Sequence, residues 1–178
     1  MGWIFSLSAE CGSNREAAQR FAKHFDQIGL QLSSGVDSKC SAGLFQDSED
    51  NWWARVCPNE TSQVGITTPE DAAVMTELGL LLYKHLRLAP SFRYAMVGVE
   101  VDEFRTYSEL LEPEERPDIL WPGLVLERAL WQLMDSPVGF RSFAPSYLWK
   151  PYEGEAYKPL MNSSALREKI NSLLQTAN

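Results

Sequence analysis

A chain of 178 residues with 44% hydrophobic and 22% charged residues is long enough to bury its own core, so neither a disulfide nor a metal is required for stability. Six Trp, six Tyr and eight Phe exclude an intrinsically disordered chain. A formal net charge of −8 and a pI of about 4.8 set the chain against phosphate backbones and anionic lipid, so neither a nucleic-acid partner nor a membrane is expected.

The N-terminus, Met1-Gly2-Trp3-Ile4-Phe5-Ser6, has no basic region, so no ordinary signal peptide is expected. Gly2 with Ser6 formally fits a myristoylation pattern, but Ile4, Phe5 and Leu7 read as strand and no polybasic stretch follows. Cys11, Cys40 and Cys57 form an odd set with no C-x-x-C pair, which reads as reduced thiols in the cytoplasm.

Trp3, Phe5 and Leu7 alternate with Ser6 and Ser8 as a strand with a buried face does. Ser13 and Glu16 have capping-box spacing. Ala18, Phe21, Ala22 and Phe25 then recur at helical spacing, with Gly29 as a left-handed stop. Residues 33–41, rich in Ser and Gly, read as at most a weak edge strand. Ala42–Gln46 and Trp52–Cys57 read as strands joined by the polar turn 47–51.

Thr67 or Thr68 caps a long helix with Pro69 in its first turn and Glu70-Asp71 at its positive end. That helix is apolar nearly all round, which predicts a central position. Tyr94–Val101 has the clearest strand alternation in the chain. The order strand, helix, hairpin, helix, strand predicts an α+β fold of the ferredoxin-like β-α-β-β-α-β kind.

The chain is thus expected to be a single domain, with residues 1–105 as the sandwich and 106–178 as a C-terminal extension packed on it. In that extension a helix is predicted over Gly123–Met134 and another over Ser164–Leu174. The segment between, Phe140–Pro159, reads as an aromatic-rich irregular wrap.

No segment carries a catalytic signature, and no cofactor or metal is expected. His24 and His85 have no companion ligands at metal-binding spacing. Strand alternation would place Glu100 and Asp102 on one side as a paired acid site, whereas Arg105 nearby offers a plain charge pair instead. Cys11 stands where a strand meets a helix start, where a helix dipole can acidify a thiol; equally it is a small residue in a tight turn.

The densest unusual feature is Phe140–Tyr152. Arg141, Tyr147 and Trp149 join large contact area to a polar tip, the chemistry of interface hot spots. Two functions follow as expectations. The first is a non-enzymatic protein-binding module of inhibitor, immunity or adaptor type, acting through an acidic or aromatic surface with Arg141, Tyr147 and Trp149. The second is a small enzyme or small-molecule binder with a carboxylate-lined cleft at Glu100, Asp102 or Cys11.

Overall fold

The computed structural model describes all residues except 1–3, 60, 62–64, 103, 115–119, 156–163 and 177–178. Eight strands form one antiparallel open sheet: β1 (Phe5–Glu10), β2 (Gly29–Gln31), β3 (Asp37–Gln46), β4 (Trp52–Pro58), β5 (Tyr94–Val99), β6 (Val125–Glu127), β7 (Arg141–Ala144) and β8 (Tyr147–Trp149). Five helices accompany them among the described residues: α1 (Arg15–Phe25), α2 (Pro69–Leu86), α3 (Tyr107–Leu111), α4 (Arg128–Leu133) and α5 (Ser164–Thr176).

The mixed α+β class expected from the sequence is present. The strand order, β2-β3-β4-β1-β5-β6-β8-β7, is not that of a plain four-stranded ferredoxin-like sheet. β2 lies outside β3, and three strands from the last third carry the sheet beyond β5. Two readings of that third are corrected here. Residues 125–127 pair as a strand before the short helix α4, and most of 141–149 is a bulged hairpin rather than an irregular wrap. The register explains both: Leu126 pairs with Tyr94 on one side and Leu148 on the other, so ladder hydrogen bonds and burial outweigh the helical spacing of the leucines.

β1 is central, and its alternation sorts the molecule into two layers. Phe5, Leu7 and Ala9 face the larger core, which α1 closes over β3 and β4 and α2 closes over β1 and β5. Ser6, Ser8 and Glu10 face the other way and are nonetheless fully buried. On that second face Trp53, Tyr94, Leu110, Leu126 and Leu130 build a smaller core under α3 and α4. The adjacent Trp52 and Trp53 divide accordingly, Trp52 packing against the larger core and Trp53 fully buried in the smaller one. A helix apolar all round suits α2, whose outer side meets Leu166 and Ile170 of α5 at Ala72.

Helix starts follow local chemistry. Asn14, not Ser13, caps α1 by accepting the Glu16 amide at 2.9 Å, and Thr68 with Asp71 forms a full capping box on α2. No described helix is long and apolar enough to cross a membrane.

Candidate functional site

The hairpin β7–β8 is held under the C-terminal half of α2 by aromatic rings. Tyr83 of α2 packs edge-on against Phe143 and Trp149, with centroids 6.2 and 5.3 Å apart. Arg87, one residue past α2, lies over both rings at 4.5 and 5.5 Å and donates a hydrogen bond to the Phe143 carbonyl. Phe143 sits at the bulge of β7, and Arg141 and Ser142 just before it line the space beside α2.

Between α2, the hairpin and α5 a groove of about 640 Å³ stays open. Its apolar lining comes from Leu80 and Leu81 of α2, Trp149 of β8, and Leu173 and Leu174 of α5. Lys84, Arg87 and Arg141, all exposed, also line it and give it three cations. The one described carboxylate there, Glu77, accepts from the Ser33 hydroxyl at 3.0 Å. In a chain of net charge −8 this is a local inversion of sign.

The structure therefore brings Arg141 and Trp149 to one groove. Tyr147 points elsewhere. Its ring stacks on Phe92 at 4.3 Å, and its hydroxyl donates to the Phe92 carbonyl at 3.0 Å while accepting the Phe92 amide at 3.1 Å.

Glu100 and Asp102 are not neighbours on one strand face, because β5 ends at Val99 and Glu100 has φ +54°. The Glu100 amide donates to the Ile4 carbonyl, and its carboxylate accepts the Ile4 amide, both at 2.8 Å, which closes the β1–β5 ladder. Asp102 turns under the second sheet face, where it accepts from Ser8 at 2.8 Å and Ser6 at 3.3 Å and pairs with Arg55.

Cys11 belongs to the larger core, on the opposite side of the sheet. Burial, reinforced by the nearby Glu10 carboxyl, pushes its thiol up to about 12, so it is not a thiolate at neutral pH.

Sequence reasoning missed Lys84 and Arg87 as groove residues. Their place at the end of α2 reads locally as dipole compensation, and only the hairpin opposite gives them a second role. It also missed Glu155, which lines a separate cavity beside β5. No family model, no curated protein and no solved structure matches the chain.

Proposed function

We propose that this chain is a non-enzymatic protein-binding module that takes a segment of its partner into the groove between α2, α5 and the β7–β8 hairpin. The observation that carries this reading is the convergence of Arg141 and Trp149, both singled out by side-chain chemistry, on one apolar-floored groove with Lys84 and Arg87. Trp149, packed among Tyr83, Phe143 and Arg87, loses little entropy on binding, which favours it as an anchor. Three cations call for a partner segment that carries carboxylates among apolar side chains.

The central strands support a finer architectural reading. The order β3-β4-β1-β5, with α1 following β1 and α2 following β4, supports reading these four strands as a ferredoxin-like unit to which β2 and the C-terminal strands are additions.

The test is selection of binders from a displayed random-peptide library by the full chain. Enriched sequences should combine Asp or Glu with Leu, Phe or Trp. Their affinity should fall by about 30-fold or more for Trp149→Ala and for Arg141→Glu, as at a hot spot of about 2 kcal/mol. Melting temperatures of both variants show whether the groove is intact. Failure to enrich any peptide, or equal binding by the folded double variant, overturns the proposal.

A further inference from the structure

Strand β5 is paired with β1 along its full length, but its ladder with β6 comprises only Tyr94 and Ala95. Beyond Ala95 the two chains diverge. The Val97 amide donates to the Tyr83 hydroxyl at 3.1 Å rather than to a strand. A cavity of about 300 Å³ opens beside this stretch, walled by Met96, Val101, Trp121 and Pro122 and closed by the turn Tyr152–Glu155.

That turn is wedged in place at two glycines, and a third leaves space before it. A Cβ on Gly79 would lie 2.6 Å from the Tyr152 hydroxyl, and one on Gly154 would lie 2.9 Å from Ile170 Cγ2. Gly154 also has φ +87°, a conformation that side chains resist. The third, Gly98, leaves open the space between β5 and the Glu155 carboxyl, whose Oε1 would stand 3.5 Å from a Cβ there. Glu155 is anchored at its own amide, which donates to Thr76 Oγ1 at 2.8 Å, while the Tyr152 hydroxyl donates to Oε1 at 2.9 Å. Close packing at Gly79 and Gly154 thus holds the Glu155 carboxyl at a cavity whose other side-chain walls include Met96, Val101, Trp121 and Pro122.

We propose that this cavity binds a small organic cation, an alkylammonium or alkylguanidinium group, with the Glu155 carboxylate as its counter-ion. A hard metal ion asks for several oxygen ligands, and no group of three or more His, Cys, Asp or Glu gathers among the described residues. A carboxylate among Met, Val, Pro and Trp side chains suits instead a charge carried on an alkyl stem, which those side chains can cover. Glu153, exposed at the edge of the same cavity, adds negative potential at the entrance.

Among the described residues, the other titratable groups near the carboxyl are Glu153 at the cavity edge and the buried Tyr152 and Tyr83, whose hydroxyls burial keeps neutral. Desolvation raises the Glu155 carboxyl to about 7, against the lowering influence of the Tyr152 hydrogen bond. An arriving cation replaces the lost hydration of the ionised form, so its binding is coupled to loss of the proton. The site is separate from the groove, although Tyr152 lines both cavities.

The experiment uses the full chain, with butylguanidinium, butylammonium and the tripeptide Gly-Arg-Gly as probes, followed by titration calorimetry and by NMR of labelled Glu carboxyl carbons. Saturable binding is expected, at least tenfold tighter at pH 8 than at pH 5.5, together with a fall in the Glu155 carboxyl titration point. Glu155→Gln retains an acceptor for Tyr152 and should fold, and should weaken binding at least tenfold. Gly98→Ala keeps the carboxyl but sets a methyl 3.0 Å from Val101 Cγ1 and 3.5 Å from Glu155 Oε1, so in a variant that melts normally binding should weaken as well. Tighter binding of the tripeptide than of the free cations assigns the natural ligand to a partner's arginine; equal binding assigns it to a free cation. No saturable binding of any probe by the folded chain, or undiminished binding by folded Glu155→Gln, overturns the proposal.

Discussion

Tyr83 does for Val97 what a neighbouring strand would do: its hydroxyl accepts the Val97 amide at 3.1 Å and donates to the Gly123 carbonyl at 2.8 Å. One phenol on α2 thereby closes the gap where β5 and the approach to β6 separate. It is fully embedded, and Gly123 leaves room for it, since a Cβ there would lie 2.4 Å from its oxygen. Tyr83→Phe removes both bonds while keeping the ring. Each backbone group left buried without a partner costs about 1–3 kcal/mol. Chemical denaturation should show a loss of about 2–6 kcal/mol for the two groups together, and amide exchange should accelerate at Val97 before the rest of β5.

Tyr147 and Trp149, two residues apart on β8, are expected to separate under mutation. Tyr147→Phe breaks two bonds to the Phe92 backbone and should lower stability by about 1–3 kcal/mol without altering capture of a groove peptide. Trp149→Ala should weaken that capture. Parallel melting and peptide-binding measurements on the two variants check this division; a Tyr147→Phe variant that melts normally but loses peptide would reverse it.

Glu10 is fully buried, and Arg93 grips it with two hydrogen bonds of 2.5 and 2.6 Å. Arg93 in turn lies over the Tyr107 ring at 3.9 Å, tying β1 to α3. Desolvation raises the Glu10 carboxyl, and Arg93 opposes that rise. Arg93→Met leaves the carboxylate without its partner, a change that costs about 3–5 kcal/mol in buried pairs. Urea unfolding at pH 7 should report this loss, and Glu10→Gln added to Arg93→Met should recover part of it.

The Glu155 carboxyl, raised from its ordinary 4.5 to about 7, makes stability depend on pH in a defined direction. The folded chain holds that proton more tightly than the unfolded chain does. Its stabilising contribution is therefore fully present below about 4.5 and is lost as the pH rises through about 7. Relative to Glu155→Gln, which does not titrate, the native chain should lose about 2–3 kcal/mol between those limits. Urea midpoints of both proteins across pH 4–8 supply the comparison, and parallel curves would place the carboxyl in water.

Leu82 has no exposed surface and lies in the larger core. Leu82→Asp buries an unpaired charge and should destabilise by several kcal/mol, read as a large fall in melting temperature or as loss of soluble protein.

The elements that could be read from the chain are those whose signals are local. α2 announces itself by Thr68, Pro69 and Asp71, because a cap needs only residues three or four apart. β5 shows its two faces because alternation is a property of the strand itself, and the larger core of Phe5, Phe21, Leu82 and Val97 follows from such periods. Even there, Gly29 is not the left-handed end of α1; Gln27 takes φ +65°, and Gly29 opens β2 opposite Lys39.

Whatever depends on partners distant in sequence was decided only in three dimensions. Residues 125–127 carry a helical leucine spacing but pair between Tyr94 and Leu148, and the hairpin 141–149 forms because β6 offers it an edge. The groove exists because Lys84 and Leu81 on α2 meet Arg141, Trp149 and Leu174 from segments far onward in the chain, and Glu155 acquires its character from Thr76, Gly98 and Tyr152. Burial, register and desolvation are set by which surfaces meet, and no window of the chain contains both surfaces at once.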